Sequence, residues 1–267
     1  MSEFLLTIDV GNTQTVVGLY DSGVPGISAD DGLINHWRVS TDHDRTSDEF
    51  ASMIAGFLSF SAVEFDDVTG VAAASGVPRL LAMVRSLCDR YVDFEPVIIG
   101  PGIKTGMPIR YDNPREVGAD RIANAIAAYE LYGGPAIVVD FGTGNNFDIV
   151  SSDGAFLGGA IMPGIEVAMD ALVDRAPALR SIEFVEPRNA IATSTVESLQ
   201  SGAIYGSAAA IDGMVARFQN ELEGDAVVVA TGGLAPVIAP VASTIEYVEP
   251  FLTLHGLRIV HARNTDR

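Results

Sequence analysis

Two stretches of this chain read as copies of one another. Residues 8–23, IDVGNTQTVVGLYDSG, match residues 139–154, VDFGTGNNFDIVSSDG. Asp9 and Asp140, Gly11 and Gly142, and Gly23 and Gly154 each lie 131 positions apart. Each copy reads as a strand, an Asp-x-Gly turn, a second strand and a second glycine turn. One such hairpin in each half of a 267-residue chain implies a duplication: two similar domains with a cleft between them. The length agrees, since about 150 residues per domain leaves room for one large domain or two small ones.

The rest of the chain predicts an α/β class. Strand-like apolar runs recur at 4–10, 15–20, 71–74, 96–99, 136–139, 147–150 and 226–230. Helical patterns fall between them. Phe50, Ile54, Phe57 and Leu58 share one face behind a capping box at Thr46 and Glu49. Ile122, Ile126 and Tyr129 mark a helix that begins near Gly118, and Ser194 with Glu197 reads as a second capping box, opening a long helix to about residue 218. Small residues along 201–210, SGAIYGSAAA, suit either a closely packed partner or burial within the monomer. Linkers are expected at 21–34 and 100–116, which places the domains at 1–116 and 117–267.

Charge and cysteine content narrow the function. The chain carries 16 basic and 35 acidic residues, a formal charge of −19. That field repels polyphosphate backbones and anionic membrane surfaces, so neither nucleic acid nor a membrane is an expected partner. A small anionic ligand needs a local device, such as a helix N-terminus, a metal or a few arginines. The single cysteine, Cys88, excludes an internal disulfide and a cysteine-based zinc site. With no basic leader and no long apolar run, a cytoplasmic protein is expected.

The repeated turns suit phosphate. Glycine after a strand-ending aspartate lets backbone approach a ligand, successive N–H groups make an anion nest, and the carboxylate can hold a hydrated cation that bridges phosphates. Asn12, Thr13 and Thr143 add short donors. Either turn alone reads rather as an ordinary hairpin bend; it is the pairing of the two that favours phosphate. A third glycine turn, Ala230-Thr231-Gly232-Gly233, could admit a flat base or ribose, or simply connect strand to helix. Other nucleotide motifs fail. The lone lysine, Lys104, follows Ile103 rather than a Walker-type glycine, and Gly142-Thr143-Gly144 continues as strand, not helix. The four histidines, His36, His43, His255 and His261, lack metal spacing and read as surface or packing residues.

Eight collinear segments resemble the type III pantothenate kinases of the sugar kinase, Hsp70 and actin superfamily. They are DVGNT at 9–13, WRVSTDHDRTSDE at 37–49, NPREVGADR at 113–121, VVDFGT at 138–143, GGAIMPG at 158–164, STVESLQSG at 194–202, ATGGLA at 230–235 and LTLHGL at 252–257. The resemblance implies two similar ribonuclease H-like, actin-like ATPase domains with a central cleft. It implies ATP-dependent phosphorylation of pantothenate to 4′-phosphopantothenate, the first step of coenzyme A biosynthesis, by a homodimer that needs Mg²⁺ and a monovalent cation, K⁺ or NH₄⁺.

Site roles follow from the resemblance by position. Asp9, Val10, Gly11, Asn12, Thr13, Gln14, Thr15 and Val16 would form the ATP phosphate loop, with Asp9 holding Mg²⁺ through water and Thr143 a further ATP contact. Tyr111, Gly118, Ala119, Asp120 and Arg121 would form the pantothenate pocket, with Asp120 as general base. Asp140 would hold the monovalent cation, and Thr195 would reach substrate across the dimer interface. The first turn of a helix keeps a carboxylate such as Asp120 ionised, although from this motif alone a helix-start residue paired with a nearby arginine is the better reading. One departure stands out: members usually read Gly-Thr-Ala-Thr-Thr after the second aspartate, and this chain reads Gly142-Thr143-Gly144-Asn145-Asn146. It motivates an alternative, a catalytically impaired paralogue or a regulatory accessory protein of the same fold.

Overall fold

A computed structural model describes residues 3–24, 31–92, 94–222 and 224–265; part of the first expected linker, 25–30, lies outside them. The chain divides into two compact units, Met1–Leu131 with Phe251–Arg267, and Tyr132–Pro250. By packing, therefore, the helix after the 100–116 linker and the last helix both go with the first unit. The 116/117 boundary marks where that linker ends in sequence.

The first unit is built on five strands: β1 (Phe4–Val10), β2 (Gln14–Asp21), β3 (Leu33–Ser40), β4 (Val68–Ser75) and β5 (Val97–Ile98), in the order β3-β2-β1-β4-β5. The first three form an antiparallel meander, while β4 and β5 run parallel to β1. Helices α1 (Ser47–Ser59) and α2 (Pro78–Tyr91) cover one face. The start of α1 is fixed by the reciprocal Thr46–Glu49 capping box, and its apolar stripe buries Phe50, Ile54 and Leu58 against Leu6, Ile8, Val17 and Leu19. Burying each such side chain stabilises by about 1.5–3 kcal/mol. Helices α3 (Ala119–Tyr132) and, after the second unit, α7 (Leu252–Thr265) complete this unit. Tight spots seat α7 on the sheet and on α3: a Cβ at Gly18 would come within 2.9 Å of Leu254, and one at Gly256 would collide with the backbone of Ala123.

The second unit repeats the plan. Its strands β6 (Ala136–Phe141), β7 (Gly144–Val150), β8 (Phe156–Pro163), β9 (Val227–Gly232) and β10 (Tyr247–Val248) take the order β8-β7-β6-β9-β10. The same two antiparallel pairs and two parallel pairs recur. Helices α4 (Ile165–Arg175), α5 (Thr195–Glu221) and the short α6 (Ala235–Ile238) accompany this sheet, and Ile204, Ile211 and Val215 of α5 pack on Ile137, Val139, Phe147 and Ile149. Strand for strand, the two sheets have one topology, which bears out the two similar α/β domains read from the repeat. The Ser194–Glu197 box is only half formed. Ser194 accepts from the Glu197 N–H at 3.3 Å, but the Glu197 carboxylate is drawn away to Arg188 at 2.7 Å.

Candidate functional site

In the first unit, the β1–β2 turn presents Asn12, Thr13 and Gln14 to solvent, with Gly11 and Asp9 half-buried behind them. The turn closes through the Gly11 N–H to the Gln14 carbonyl at 3.0 Å. What holds it comes from the end of β3. The Thr41 N–H donates to the Thr13 carbonyl at 2.9 Å, and the Thr41 hydroxyl donates to the Gly11 carbonyl at 2.8 Å. The Thr15 hydroxyl, only 2% exposed, meets the Thr41 hydroxyl at 2.9 Å. His43 reaches the Asn12 carbonyl at 3.2 Å, and Arg38 donates to the Gln14 side chain at 2.7 Å. Thr41, His43 and Arg38 all lie within the 37–49 motif, yet sequence reasoning gave none of them a role. Braces to backbone carbonyls leave no residue-type signal.

The second unit carries the equivalent turn between β6 and β7. The Gly142 N–H bonds the Gly144 carbonyl at 3.2 Å, and the Gly164 N–H, just past β8, bonds the Thr143 carbonyl at 3.0 Å. Gly164 thus does for Thr143 what Thr41 does for Thr13. The register corrects one detail of the repeat. Val10 pairs with Thr15, whereas Phe141 pairs with Asn145. The second turn is one residue shorter, so beyond it the matching positions are 130 apart, with Thr13 answering to Thr143 and Thr15 to Asn145. Asn145 is 4% exposed, and its Oδ1 has no hydrogen-bond partner. The reason is local: the hydroxyl that Thr15 finds on Thr41 does not exist on Gly164.

Two glycines crowd the second turn. A Cβ on Gly164 would overlap the Gly142 and Thr143 carbonyls. Gly232, from the third glycine turn, adopts φ +92°, and a Cβ there would stand 2.5 Å from the Phe141 carbonyl oxygen and 2.7 Å from Asp140 Oδ1. The 230–233 segment therefore closes on Asp140–Phe141, with Thr231 buried and paired in register with Asp140. Only glycine lets three backbone segments meet here.

The residues expected to bind pantothenate lie at and before α3. A cavity of about 810 Å³ in the first unit is lined by Pro78, Leu81 and Arg85 of α2, by Ile98 of β5, by Ile103 and Thr105 of the following loop, and by Gly118 and Ala119. Tyr111, Asp120, Arg121 and Thr195 are not among its lining residues. Asp120 is half-buried in the first turn of α3, its Oδ1 folded back so close to Gly118 that a Cβ there would overlap it. Arg121 is buried, Tyr111 is 37% exposed, and Thr195 is exposed at the first position of α5.

Among the described residues, no three His, Cys, Asp or Glu side chains are grouped to hold a metal. Asp9 and Asp140 each offer one carboxylate beside a glycine turn. That donor set fits a hydrated cation shared with a ligand's phosphates rather than a complete protein cage. No helix of the described residues is long and apolar enough to cross a membrane.

Comparisons with known proteins agree with this geometry. The sequence profile of the family described as type III pantothenate kinase matches residues 5–217. The type III pantothenate kinase of Acidothermus cellulolyticus is 50% identical over 261 residues, 97% of this chain and 98% of that protein. Its counterpart in Moorella thermoacetica is 48% identical over 261 residues, 98% of this chain and 100% of that protein. Two solved structures share the fold at low identity. Component A of (R)-2-hydroxyglutaryl-CoA dehydratase from Acidaminococcus fermentans has TM-score 0.57 and 15% identity, covering 98% of both chains. The inorganic polyphosphate/ATP-glucomannokinase of Arthrobacter sp. strain KM has TM-score 0.51 and 14% identity, covering 98% of this chain and 99% of that one. With two matched glycine turns, one topology repeated in both units and near full-length identity of about half, the chain belongs to the type III pantothenate kinase family.

Proposed function

We propose that this chain transfers the γ-phosphate of ATP to the 4′-hydroxyl of pantothenate, opening coenzyme A biosynthesis. The observation that carries the reading is the pair of equivalent Asp-x-Gly turns, each with its own backbone brace. Asp9–Val16 hold the ATP phosphates with Mg²⁺ bound to Asp9 through water, Thr143 makes a further ATP contact, and Asp140 holds a monovalent cation, K⁺ or NH₄⁺. Pantothenate occupies the cavity lined by Gly118 and Ala119, with Tyr111, Asp120 and Arg121, which do not line it, supplying its polar contacts.

Asp120 takes the proton of the pantothenate hydroxyl as its oxygen bonds to the γ-phosphorus. The bond from that phosphorus to the bridging oxygen breaks, and its electron pair leaves on ADP. A positioned base contributes about 10²–10⁴-fold; alignment and neutralisation of the phosphoryl oxygens supply the rest. The departure at Gly144–Asn146 leaves the β6–β7 pairing and the Gly164 brace in place but orphans Asn145 Oδ1; near full-length identity of about half to type III pantothenate kinases favours the active enzyme over an impaired paralogue or a regulatory accessory protein.

The working form is a homodimer in which Thr195 serves the partner's site. Large apolar side chains stay exposed on one stretch of the second unit: Ile161, Val167, Leu172, Val185, Ile191 and Val196. On α5, Ala203, Ile204 and Ala208 pack inward, while Cβ atoms at Gly202 and Gly206 would meet nothing within 4 Å. The enzyme is read as cytoplasmic, and its net charge of −19 argues against nucleic-acid or membrane partners. The family's two domains are read as 1–116 and 117–267.

Purified protein with ATP, Mg²⁺ and K⁺ is expected to form 4′-phosphopantothenate. Asp120→Asn is expected to lower kcat by about 10²–10⁴-fold with little change in the KM for pantothenate. A wild type that binds both substrates calorimetrically without turnover would refute the reading, and an undiminished variant would refute the base.

A further inference from the structure

Between β5 and the 3₁₀ turn at Pro114–Glu116 the chain forms no helix or strand. Loops of this length keep one shape only when other elements hold them. Two consecutive residues in the last turn of α7 do so here. The Asn264 carboxamide takes both backbone groups of one residue. Its Oδ1 accepts from the Lys104 N–H at 3.1 Å, and its Nδ2 donates to the Lys104 carbonyl at 3.0 Å and to Val260, one turn back, at 2.7 Å. The adjacent Arg263 guanidinium donates to the Thr105 carbonyl and pairs with Glu130 on α3. Gly106, at φ +74°, lets the guanidinium lie against the backbone, since a Cβ there would stand 3.0 Å from Arg263 Cζ. Ile103 and Thr105, on either side of the clamped Lys104, line the cavity. Arg263 thus ties that wall to α3, whose first turn carries Asp120.

We propose that Arg263 and Asn264 are positioning residues that fix the 103–106 wall of the cavity and thereby set the affinity for pantothenate, without touching it. The inference rests on the reading of this cavity as the pantothenate site. It makes the last turn of α7, remote in sequence from the 113–121 motif, a determinant of acceptor binding.

The test measures kcat and both KM values for wild type, Arg263→Ala, Arg263→Lys, Asn264→Ala and Asn264→Asp, together with hydrogen exchange at the Lys104 and Gly106 amides and the melting temperature of each protein. Losing two hydrogen bonds to the wall should raise the KM for pantothenate about tenfold, while kcat and the KM for ATP stay within about twofold. Lysine at 263 keeps a donor for Thr105 and should recover most of the loss. Aspartate at 264 keeps the acceptor for Lys104 and should fall between wild type and alanine. Faster exchange at Lys104 should accompany each rise in KM. An unchanged pantothenate KM in both alanine variants overturns the proposal even if exchange quickens or the proteins melt earlier, and so does an equal loss in kcat and both KM values. A wild type without pantothenate kinase activity overturns the reading of the cavity, and the proposal with it.

Discussion

The Gly164→Ala variant probes the β6–β7 turn with one methyl group. Gly164 sits at φ −62° and ψ 153°, a conformation alanine adopts without strain, so the substitution acts through contact alone. The new Cβ would overlap the Gly142 and Thr143 carbonyl oxygens and stand 2.8 Å from the Thr143 carbonyl carbon. Carbon atoms pack best at about 3.5–4.0 Å, so roughly 0.7–1.2 Å of movement is required. β8 is held along its length by β7, whereas Gly142 and Thr143 are exposed, so the turn is the part that yields. It loses the 3.0 Å bond from the Gly164 N–H as it moves. Overpacking of this kind costs about 1–3 kcal/mol of stability, and a misplacement near 1 Å can cost about 10²-fold in rate. With pantothenate saturating, kcat/KM for ATP is expected to fall by about 10–100-fold, while the KM for pantothenate, whose motif lies in the other unit, stays within twofold. Gly56→Ala, within α1, is the control: its Cβ meets nothing within 4 Å, and in a helix interior alanine should stabilise by about 1 kcal/mol. A Gly164→Ala enzyme with wild-type kcat/KM for ATP would refute the assignment of Thr143 to the nucleotide, and so would equal damage to both substrates.

Two further perturbations test the braces. Thr41→Val removes the bond to Gly11 and leaves the buried Thr15 hydroxyl without its partner. Chemical denaturation should show a loss of about 1–3 kcal/mol and kinetics a raised KM for ATP, both restored by Thr41→Ser. Asp212 on α5 accepts from the N–H and hydroxyl groups of Ser243 and Thr244 at 2.7–3.0 Å. Burial pushes its carboxyl up, but these four donors outweigh burial and hold it below the usual aspartate value of 3.8. Its contribution is therefore complete above pH 3.8 and lost as pH falls through the lower folded value. Asp212→Asn should melt earlier at neutral pH and show a shallower decline in acid, read by calorimetry across pH 2–7; an unchanged acid limb would refute the linkage.

How much of this was legible depended on whether the signal was local. β1 and β6 are mostly apolar runs buried on both faces, and the sequence places them within two residues. β3 and β8 escaped it. β3 carries Asn35, His36 and Arg38 on an edge strand with alternating exposure, and β8 contains two glycines and ends in proline. α7 has no clean apolar stripe, because it buries His255 and needs Gly256 to approach Ala123. That contact spans more than a hundred residues, and no periodicity announces it. At the site, Asp9, Asp140 and Asp120 were visible as residue types in motifs. Thr41, Gly164 and Asn264 act on backbone carbonyls and amides, which every residue carries, so composition gives them no distinguishing mark. The one-residue difference between the turns shows only in strand register, and with it the reason that Asn145 lacks the partner Thr15 has.

The division of the chain sets an order of assembly. Tyr132, where the second unit begins, hydrogen-bonds Glu249, next to its end, and stacks on Tyr247 with ring centroids 4.3 Å apart. That unit is one unbroken segment whose two ends meet, so it can close as soon as residue 250 has been synthesised. The first unit cannot: its sheet waits for α7, made after the second unit. Domains usually mature on the ribosome from the N-terminus onward; here the half that is translated first is the half that is finished last.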